Sequence, residues 1–218
     1  MTVMSAILLA FLTTPFGPVW AGAWLRSEGM GFAAISTEQG LDGGYDHAGY
    51  LEYGVRDDLT LGAKVDVDML GNQPIDGSGY VFLRRPLDLL KNWQVSYALG
   101  LGLSWDPTDL SHLLRAGVSF GRGYSLGERS GWVNLDADLV ADGITGQAIK
   151  VDGTVGVNAT DRLKPMMQTY VTIDDDGTSV TYAPSVVWSP QDGGVSYQAG
   201  IEHEEAETTV RIGIWLDF

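Results

Sequence analysis

A strict two-residue alternation in the segment NWQVSYALGLGLSW, residues 92–105, constrains the fold more than any other feature of the sequence. One face of this segment carries only large apolar side chains: Trp93, Val95, Tyr97, Leu99, Leu101, Leu103 and Trp105. The other face carries small or polar residues, from Gln94 to Ser104. Successive side chains of a β-strand point to opposite faces, whereas a helical period would mix the two sets. The segment is therefore predicted to be a strand. One of its faces is apolar with aromatic residues near both ends, and the other carries only small or polar residues.

Other segments repeat this alternation with charged residues on the polar face. Residues 59–69 place Lys64, Asp66 and Asp68 between apolar neighbours, and residues 131–142 include Asp136 and Asp138 at equivalent positions. Such charges at interior strand positions fit a barrel with a wet interior better than a β-sandwich. In membrane barrels, apolar positions that face lipid alternate with polar positions that face the lumen.

Turn signals between the alternating runs predict about twelve strands, or ten if one hairpin is lost. The predicted strands are 24–36, 45–55, 59–69, 78–86, 92–105, 111–124, 131–142, 148–157, 163–174, 179–188, 195–203 and 207–218. An even number brings both termini of a barrel to the same rim. The sequence thus predicts an all-β fold, an antiparallel up-and-down transmembrane β-barrel, with residues 24–218 as its single domain.

The first 23 residues are expected to form a signal peptide that is removed from the mature chain. Residues 4–12 are a short apolar run, and the small residues Ala21 and Ala23 offer cleavage after either one. Elsewhere no window approaches the roughly 18 consecutive apolar residues of a spanning helix. The chain is therefore expected to be exported.

The charge balance excludes some function classes. The chain has 28 acidic residues against 13 Lys and Arg, a formal net charge of −15, which argues against a nucleic-acid partner. It has no cysteine, so a disulfide framework and a thiolate metal site are both impossible. None of the 13 bases falls in the connections that the strand order assigns to the outer side of the membrane, whereas several flank the periplasmic connections.

The last strand keeps its apolar stripe up to the final residue. The stripe consists of Val210, Ile212, Ile214, Leu216 and Phe218. It resembles the C-terminal signature of bacterial outer-membrane β-barrel proteins, in which the last strand ends in Phe and is recognised by the assembly machinery. The signal peptide and the hairpin pattern extend this resemblance to the architecture of the whole chain. It implies a location in the outer membrane of a Gram-negative bacterium, with membrane lipid and the assembly machinery as partners.

Strand parity points seven acids and four bases into the lumen of such a barrel. These residues are Glu52, Lys64, Asp66, Asp68, Arg115, Asp136, Asp138, Lys150, Asp152, Glu202 and Arg211. The leading interpretation is a porin-like transport protein, a small passive channel or ligand-binding barrel with an acid-lined lumen for cations or small polar solutes. The alternative is a structural or surface-interaction barrel whose lumen is plugged by paired charges.

No sequence pattern is typical of a catalytic, cofactor or metal site. Ser111 and His112 are adjacent, so a strand would point them to opposite faces. The motif HEEAE at His203 lacks the second histidine of a zinc-binding helix. We therefore expect no catalytic residue, no cofactor and no metal. A membrane-embedded hydrolase and a soluble periplasmic β-barrel are further alternatives.

Overall fold

The protein folds into a closed barrel of twelve antiparallel strands. The structure, a computed structural model, describes residues 22–40, 44–70, 73–190, 194–205 and 207–218. The strands are β1 (Gly31–Gly40), β2 (Gly44–Arg56), β3 (Leu59–Leu70), β4 (Gln73–Pro86), β5 (Gln94–Trp105), β6 (Leu110–Leu126), β7 (Arg129–Asp142), β8 (Gly146–Val157), β9 (Leu163–Ile173), β10 (Thr178–Trp188), β11 (Val195–Glu204) and β12 (Glu207–Asp217). Each strand pairs with its neighbours in sequence, and β1 pairs with β12. The predicted fold class is confirmed, with twelve strands rather than ten.

Two predicted strands differ from the structure at their ends. The first begins at Gly31 instead of residue 24 and continues to Gly40, because residues 24–26 lie inside the barrel and residues 27–30 are exposed at its rim, so neither group is part of the wall. The fourth begins at Gln73 instead of residue 78. A register shift between Asp68 and Met69 in the β3–β4 pairing disturbs the alternation there, as β-bulges do. The predicted signal peptide lies outside the described residues except for Gly22 and Ala23.

The outer surface of the barrel is apolar and its interior is polar, the reverse of a water-soluble protein. On the outside, Ile35, Leu101 and Ile212 are 67%, 64% and 60% exposed. Inside, the side chains of Glu52 and Thr60 are 1% and 0% exposed. Every strand contributes large apolar side chains to the outer surface, which is the arrangement of a barrel surrounded by lipid. Among the described residues there is no helix that is long and apolar enough to cross a membrane.

The two rims of the barrel are chemically distinct. We call the rim where β1 begins and β12 ends the terminal end, and the opposite rim the far end. The described terminal-end connections contain both acids and bases, with Asp88 and Lys91 in 87–93 and Asp161 and Arg162 in 158–162. The far-end connections 106–109, 143–145 and 174–177 contain five aspartates and no base.

The C-terminal stripe forms the seam that closes the barrel. In the β1–β12 register, Ala33 lies opposite Leu216, and the five stripe residues point outward. At the terminal end, the Gly31 N–H donates to the Phe218 carbonyl over 2.6 Å and the Phe218 N–H donates back over 3.0 Å. A side chain at Gly31 would overlap the Phe218 ring, since an ideal Cβ there lies 2.2 Å from it. The final residue thus completes the last backbone pairing of the wall, while its role as an assembly signal remains a prediction.

We expect Ile212→Asp to reduce the amount of assembled barrel strongly. Ile212 lies in the middle of the apolar stripe, and a charged group on the lipid-facing surface of a barrel costs up to a few kcal/mol depending on depth. The measurement is the fraction of outer-membrane protein that resists SDS until it is heated, seen as a mobility shift on a gel. Leu126→Asp is the matched control, because Leu126 is 70% exposed beside the hairpin turn at the terminal end. Equal losses in the two variants would contradict a lipid-facing stripe.

Candidate functional site

A charged cavity of about 350 Å³ lies inside the barrel. Nine of the eleven residues predicted to face the lumen line it: Lys64, Asp66, Arg115, Asp136, Asp138, Lys150, Asp152, Glu202 and Arg211. Of the other two, Glu52 is buried in the same interior closer to the terminal end, and Asp68 follows Asp66 on the same face of β3. Tyr50, Tyr80 and Tyr170 also line the cavity. The structure therefore brings the predicted residues together, while their contact with a solute remains a prediction.

Arg115 and Asp138 form a two-pronged ion pair across the β6–β7 pairing. The Arg115 Nε–H donates to Asp138 Oδ1 over 2.8 Å, and Nη2–H donates to Oδ2 over 2.6 Å. A third donor, Nη1–H, reaches the Tyr80 hydroxyl on β4. Gly117 leaves space for the pair, because an ideal Cβ there would lie 2.0 Å from Asp138 Oδ1. Such bidentate pairs are among the stronger charge-assisted hydrogen bonds.

Arg211 holds two carboxylates on either side of β12. Its Nε–H and Nη2–H donate to Glu38 Oε1 over 2.8 and 2.6 Å, and it also pairs with Glu202 on β11. Its Nη1–H donates to the Tyr170 hydroxyl over 3.1 Å. The strand prediction had placed Glu38 in an outer connection, and this was wrong, since β1 extends to Gly40 and pairs Glu38 with Arg211.

Glu52 is the centre of a third network near the terminal end. It pairs with Arg84 on β4 and accepts a hydrogen bond from Arg26 Nε–H over 2.7 Å. The Tyr50 hydroxyl donates to Glu52 Oε1 over 2.6 Å. The arginines also pack on aromatic rings, with Arg26 4.6 Å from the centre of the Phe32 ring. Sequence reasoning missed both arginines, because residues 24–30 were predicted as wall and the alternation near Arg84 is irregular.

Apolar side chains fill the lumen at the terminal end. This apolar floor consists of Phe32, Ala34, Trp132, Met166, Val187 and Trp215, with Trp24 and Tyr50 packed against it. The inward direction of Trp132 and Trp215 follows from strand parity. The terminal end of the lumen is therefore filled by this apolar floor together with the buried Glu52 network, and both narrow any path to that end.

Residues 22–30, which we call the inner segment, precede β1; residues 22–26 lie inside the barrel, whereas residues 27–30 are exposed at its terminal end. The Arg26 N–H donates to Thr60 Oγ1 over 2.9 Å, and the Gly29 N–H donates to the Gly54 carbonyl over 2.8 Å. Gly54 has no room for a side chain, since an ideal Cβ would lie 2.0 Å from the Ser27 carbonyl oxygen. The inner segment thus occupies a space that the wall leaves for it.

Three acids lie side by side at the far end. Asp46 on β2 is directly opposite Asp68 on β3, which in turn is opposite Asp76 on β4. We call these residues the far-end acid row. Like charges directly opposite one another destabilise a sheet, so this row lowers stability in exchange for a concentrated negative potential.

A neighbouring loop adds a carboxylate that resists protonation. In the connection 106–109, the Thr108 hydroxyl donates to Asp106 Oδ1 over 2.7 Å, and backbone N–H groups of Thr108 and Asp109 donate to the same atom. These hydrogen bonds hold the pKa of Asp106 below its usual value. The far end therefore keeps this negative charge at mildly acidic pH.

The histidines do not form a recognisable catalytic constellation with their neighbours. His47 Nδ1 contacts Thr37 Oγ1 at 3.0 Å, and His203 Nδ1 contacts Thr208 Oγ1 at 2.9 Å. His112 is exposed on the outside of β6, one residue after Ser111. Within the described ranges, no group of three His, Asp or Glu side chains is arranged to hold a metal ion.

Comparison with known proteins supports the fold. No protein-family model matches the chain, and no curated protein is similar to it. Among solved structures, the KdgM porin is similar with a TM-score of 0.65 at 10% identity, over 86% of this chain and 99% of that chain. The COG4313 outer membrane channel from Pseudomonas putida F1 gives 0.57 at 10% identity, over 90% and 98%. LpxR from Salmonella typhimurium gives 0.56 at 10% identity, over 85% and 99%.

At these identities, the likenesses show the fold alone. The chain therefore has the architecture of an outer-membrane β-barrel, as the C-terminal signature implied. The KdgM porin has also been determined in complex with disordered oligogalacturonate. Porins and LpxR share this architecture, so function has to be argued from the residues of the lumen.

We expect Glu52→Gln to destabilise the barrel by about 3–5 kcal/mol, the usual cost of breaking a buried ion pair. The substitution keeps the side-chain shape but leaves the Arg26 and Arg84 charges buried without a counter-ion. The measurement is the free energy of unfolding in urea of protein refolded into lipid vesicles. Asp58→Asn is the matched control, because it removes the same charge from half-exposed pairs with Arg56 and Arg85, where the loss should stay near or below about 1 kcal/mol. Similar losses in both variants would show that the buried network contributes little.

Proposed function

We propose that this barrel is a small passive channel of the bacterial outer membrane that admits small polar solutes and prefers cations. The observation that carries this proposal is the charged cavity at mid-depth, together with the far-end acid row on the same strands that line it. A barrel that served only as a scaffold could fill its interior with apolar side chains at lower cost, because buried charges stabilise a fold only when they are well paired.

Cation preference arises at the far end and not in the cavity. Among the described lining residues of the cavity, six carboxylates face five basic side chains, so its wall is close to neutral. The far-end acid row places three carboxylates side by side in the β2–β3–β4 pairing, and the described far-end connections add acidic residues and no Lys or Arg. An entrance that carries charge of one sign raises the local concentration of counter-ions, most strongly at low salt. Cations and neutral polar solutes are thus favoured over polyanions.

The size of the cavity limits what can pass. Its volume of about 350 Å³ is at the lower end of the range of small-molecule pockets. Twelve strands also make a narrower barrel than the sixteen or more of open porins. The apolar floor and the inner segment occupy the terminal end, so we expect a small conductance that depends on movement of these residues.

A structural barrel with a plugged lumen is the second candidate, and the apolar floor favours it. The two functions differ in a single measurement, since a plugged barrel assembles normally but carries no current. A membrane-embedded hydrolase has no support from the histidine contacts described above.

We expect the protein to be cation-selective in planar bilayers. The measurement is the reversal potential under a KCl gradient at low salt. Replacing the far-end acid row by asparagine (Asp46→Asn, Asp68→Asn and Asp76→Asn together) should remove most of the selectivity, because the entrance loses its concentrated negative charge. The matched control replaces Asp174, Asp175 and Asp176 by asparagine, an equal loss of charge in an exposed far-end loop, and should change the potential much less.

Three outcomes would count against this proposal. Anion selectivity of the unmodified protein would contradict the role of the acid row, as would equal shifts in the two triple variants. A barrel that inserts and resists SDS but never conducts would favour the plugged, structural barrel.

A further inference from the structure

We infer that the mature chain begins at Gly22 and that its α-ammonium group lies inside the barrel as the partner of Asp136. This assigns a processing site between Ala21 and Gly22 and gives the new amino terminus a structural role. The inference depends on the contacts of the inner segment and does not depend on whether the barrel conducts.

The wall of the barrel is shaped to receive the first residues of the inner segment. Ala23 is 1% exposed, and Trp24 packs against the apolar floor. Both side chains lie against Gly121 on β6, where an ideal Cβ would come within 2.4 Å of the Trp24 ring and 2.6 Å of Ala23 Cβ. At Gly123, two residues further along the same face of β6, an ideal Cβ would meet only an ordinary contact at 3.8 Å. The absence of a side chain at Gly121 therefore makes room for this segment.

Gly22 and Ala23 also complete hydrogen bonds of the wall. The Ser96 hydroxyl, which is fully buried, donates to the Gly22 carbonyl over 2.6 Å. The Ala23 N–H points to Asn134 Oδ1 at 3.4 Å. Cleavage after Ala23 would remove both residues and leave these buried polar groups without partners, which costs about 1–3 kcal/mol for each unsatisfied group. The contacts thus favour cleavage after Ala21 over cleavage after Ala23.

Asp136 is a buried carboxylate, and one of its two oxygens has no cationic partner among the described side chains. Its Oδ2 accepts a hydrogen bond from Asn134 over 2.5 Å, and the Ser119 hydroxyl is a further polar neighbour of the carboxylate, but the buried Oδ1 has no ion pair with a described side chain. The same Oδ1 adjoins Gly22, since an ideal Cβ on Gly22 would lie 2.3 Å from it and 2.5 Å from the Ser119 hydroxyl. Arg84, Arg115 and Arg211 are already engaged with Glu52, Asp138 and Glu38. Asp136 therefore lacks a cation of its own among the described side chains.

Cleavage of the Ala21–Gly22 bond would supply a cation for Asp136, the new α-ammonium group of Gly22. A signal peptidase hydrolyses the Ala21–Gly22 peptide bond with one water, which leaves a carboxylate on Ala21 and an ammonium on Gly22. The ammonium brings three N–H donors to Gly22, the residue that adjoins Asp136 Oδ1. It also balances the cavity wall, in which six carboxylates face five bases among the described residues. A buried charge is tolerated when it is paired in this way.

The first test is the identity of the mature amino terminus. Protein purified from the outer membrane is acylated with an amine-reactive ester while folded, then unfolded, digested with trypsin and analysed by mass spectrometry. The inference predicts an N-terminal peptide of residues 22–26, GAWLR, because trypsin cleaves after Arg26. A peptide that begins at Trp24, or at any other residue, would overturn it.

The second test is the reactivity of the Gly22 amine in the same sample. Lys91 is exposed in the connection 87–93 and serves as the internal reference. Relative to Lys91, the Gly22 amine should react about tenfold or more slowly in the folded barrel, because local opening has to precede the reaction. This protection should be lost on unfolding. Equal reactivity of the two amines in the folded protein would overturn the inference.

Two pairs of variants test whether the ion pair, and not burial alone, protects the Gly22 amine. Asp136→Asn should raise the reactivity of the Gly22 amine severalfold, whereas Asp66→Asn, which removes an inward carboxylate on β3, should leave it within about twofold. Gly121→Ala should also raise it, because the new Cβ displaces Trp24, while Gly123→Ala should not. If the reactivity of the Gly22 amine stays unchanged in Asp136→Asn, or stays unchanged in Gly121→Ala, the proposed position of the amine is wrong. If Asp136→Asn does not assemble, the inference is still tested by three results. These are the mass of the N-terminal peptide, the slow reaction of the Gly22 amine in the unmodified protein, and the comparison of Gly121→Ala with Gly123→Ala.

Discussion

Closure of the sheet is the constraint on which the rest of this structure depends. Hydrocarbon offers no hydrogen bonds to the backbone, so a strand can cross it only when both of its edges are paired. Here that condition is met by the β1–β12 seam, completed by the reciprocal bonds between Gly31 and Phe218. Once the sheet is closed, every strand has one face toward lipid and one toward a confined interior. The alternation of side chains then follows from this geometry.

The confined interior creates its own energetic problem, which the protein solves in two ways. At mid-depth, charged side chains pair with one another, as Arg115 does with Asp138. Near the terminal end, apolar residues such as Trp132 and Trp215 pack together with the inner segment. Toward the far end, Asp46, Asp68 and Asp76 lie side by side on neighbouring strands. Water and dissolved cations can compensate these charges there, which is why we place the entrance at that end.

The sequence predicted most of this arrangement because period-2 alternation reports the face of a strand directly. The inward positions of Asp66, Asp136 and Lys150 and the outward stripe on β12 needed no more than parity. Parity cannot report which residues leave the wall and fold back inside. Trp24 and Leu25 look like the start of a strand, yet Trp24 packs in the lumen, in the space opposite Gly121. Glu38 was misplaced for a related reason, since the end of β1 depends on pairing with β12 and not on local alternation.

The residues that line the lumen also hold the barrel in register. The Glu38–Arg211 pair bridges β1 and β12, the seam that closes the sheet, and Arg115–Asp138 bridges β6 and β7 on the opposite side. The Glu52–Arg84 pair reaches from β2 to β4 over Gly62 on β3, where an ideal Cβ would lie 2.2 Å from the Phe82 ring. A one-residue slip of any of these strands would turn a charged partner toward lipid, which is far more costly than leaving it unpaired in water. The charges of the lumen therefore specify the pairing of the strands as well as the polarity of the interior.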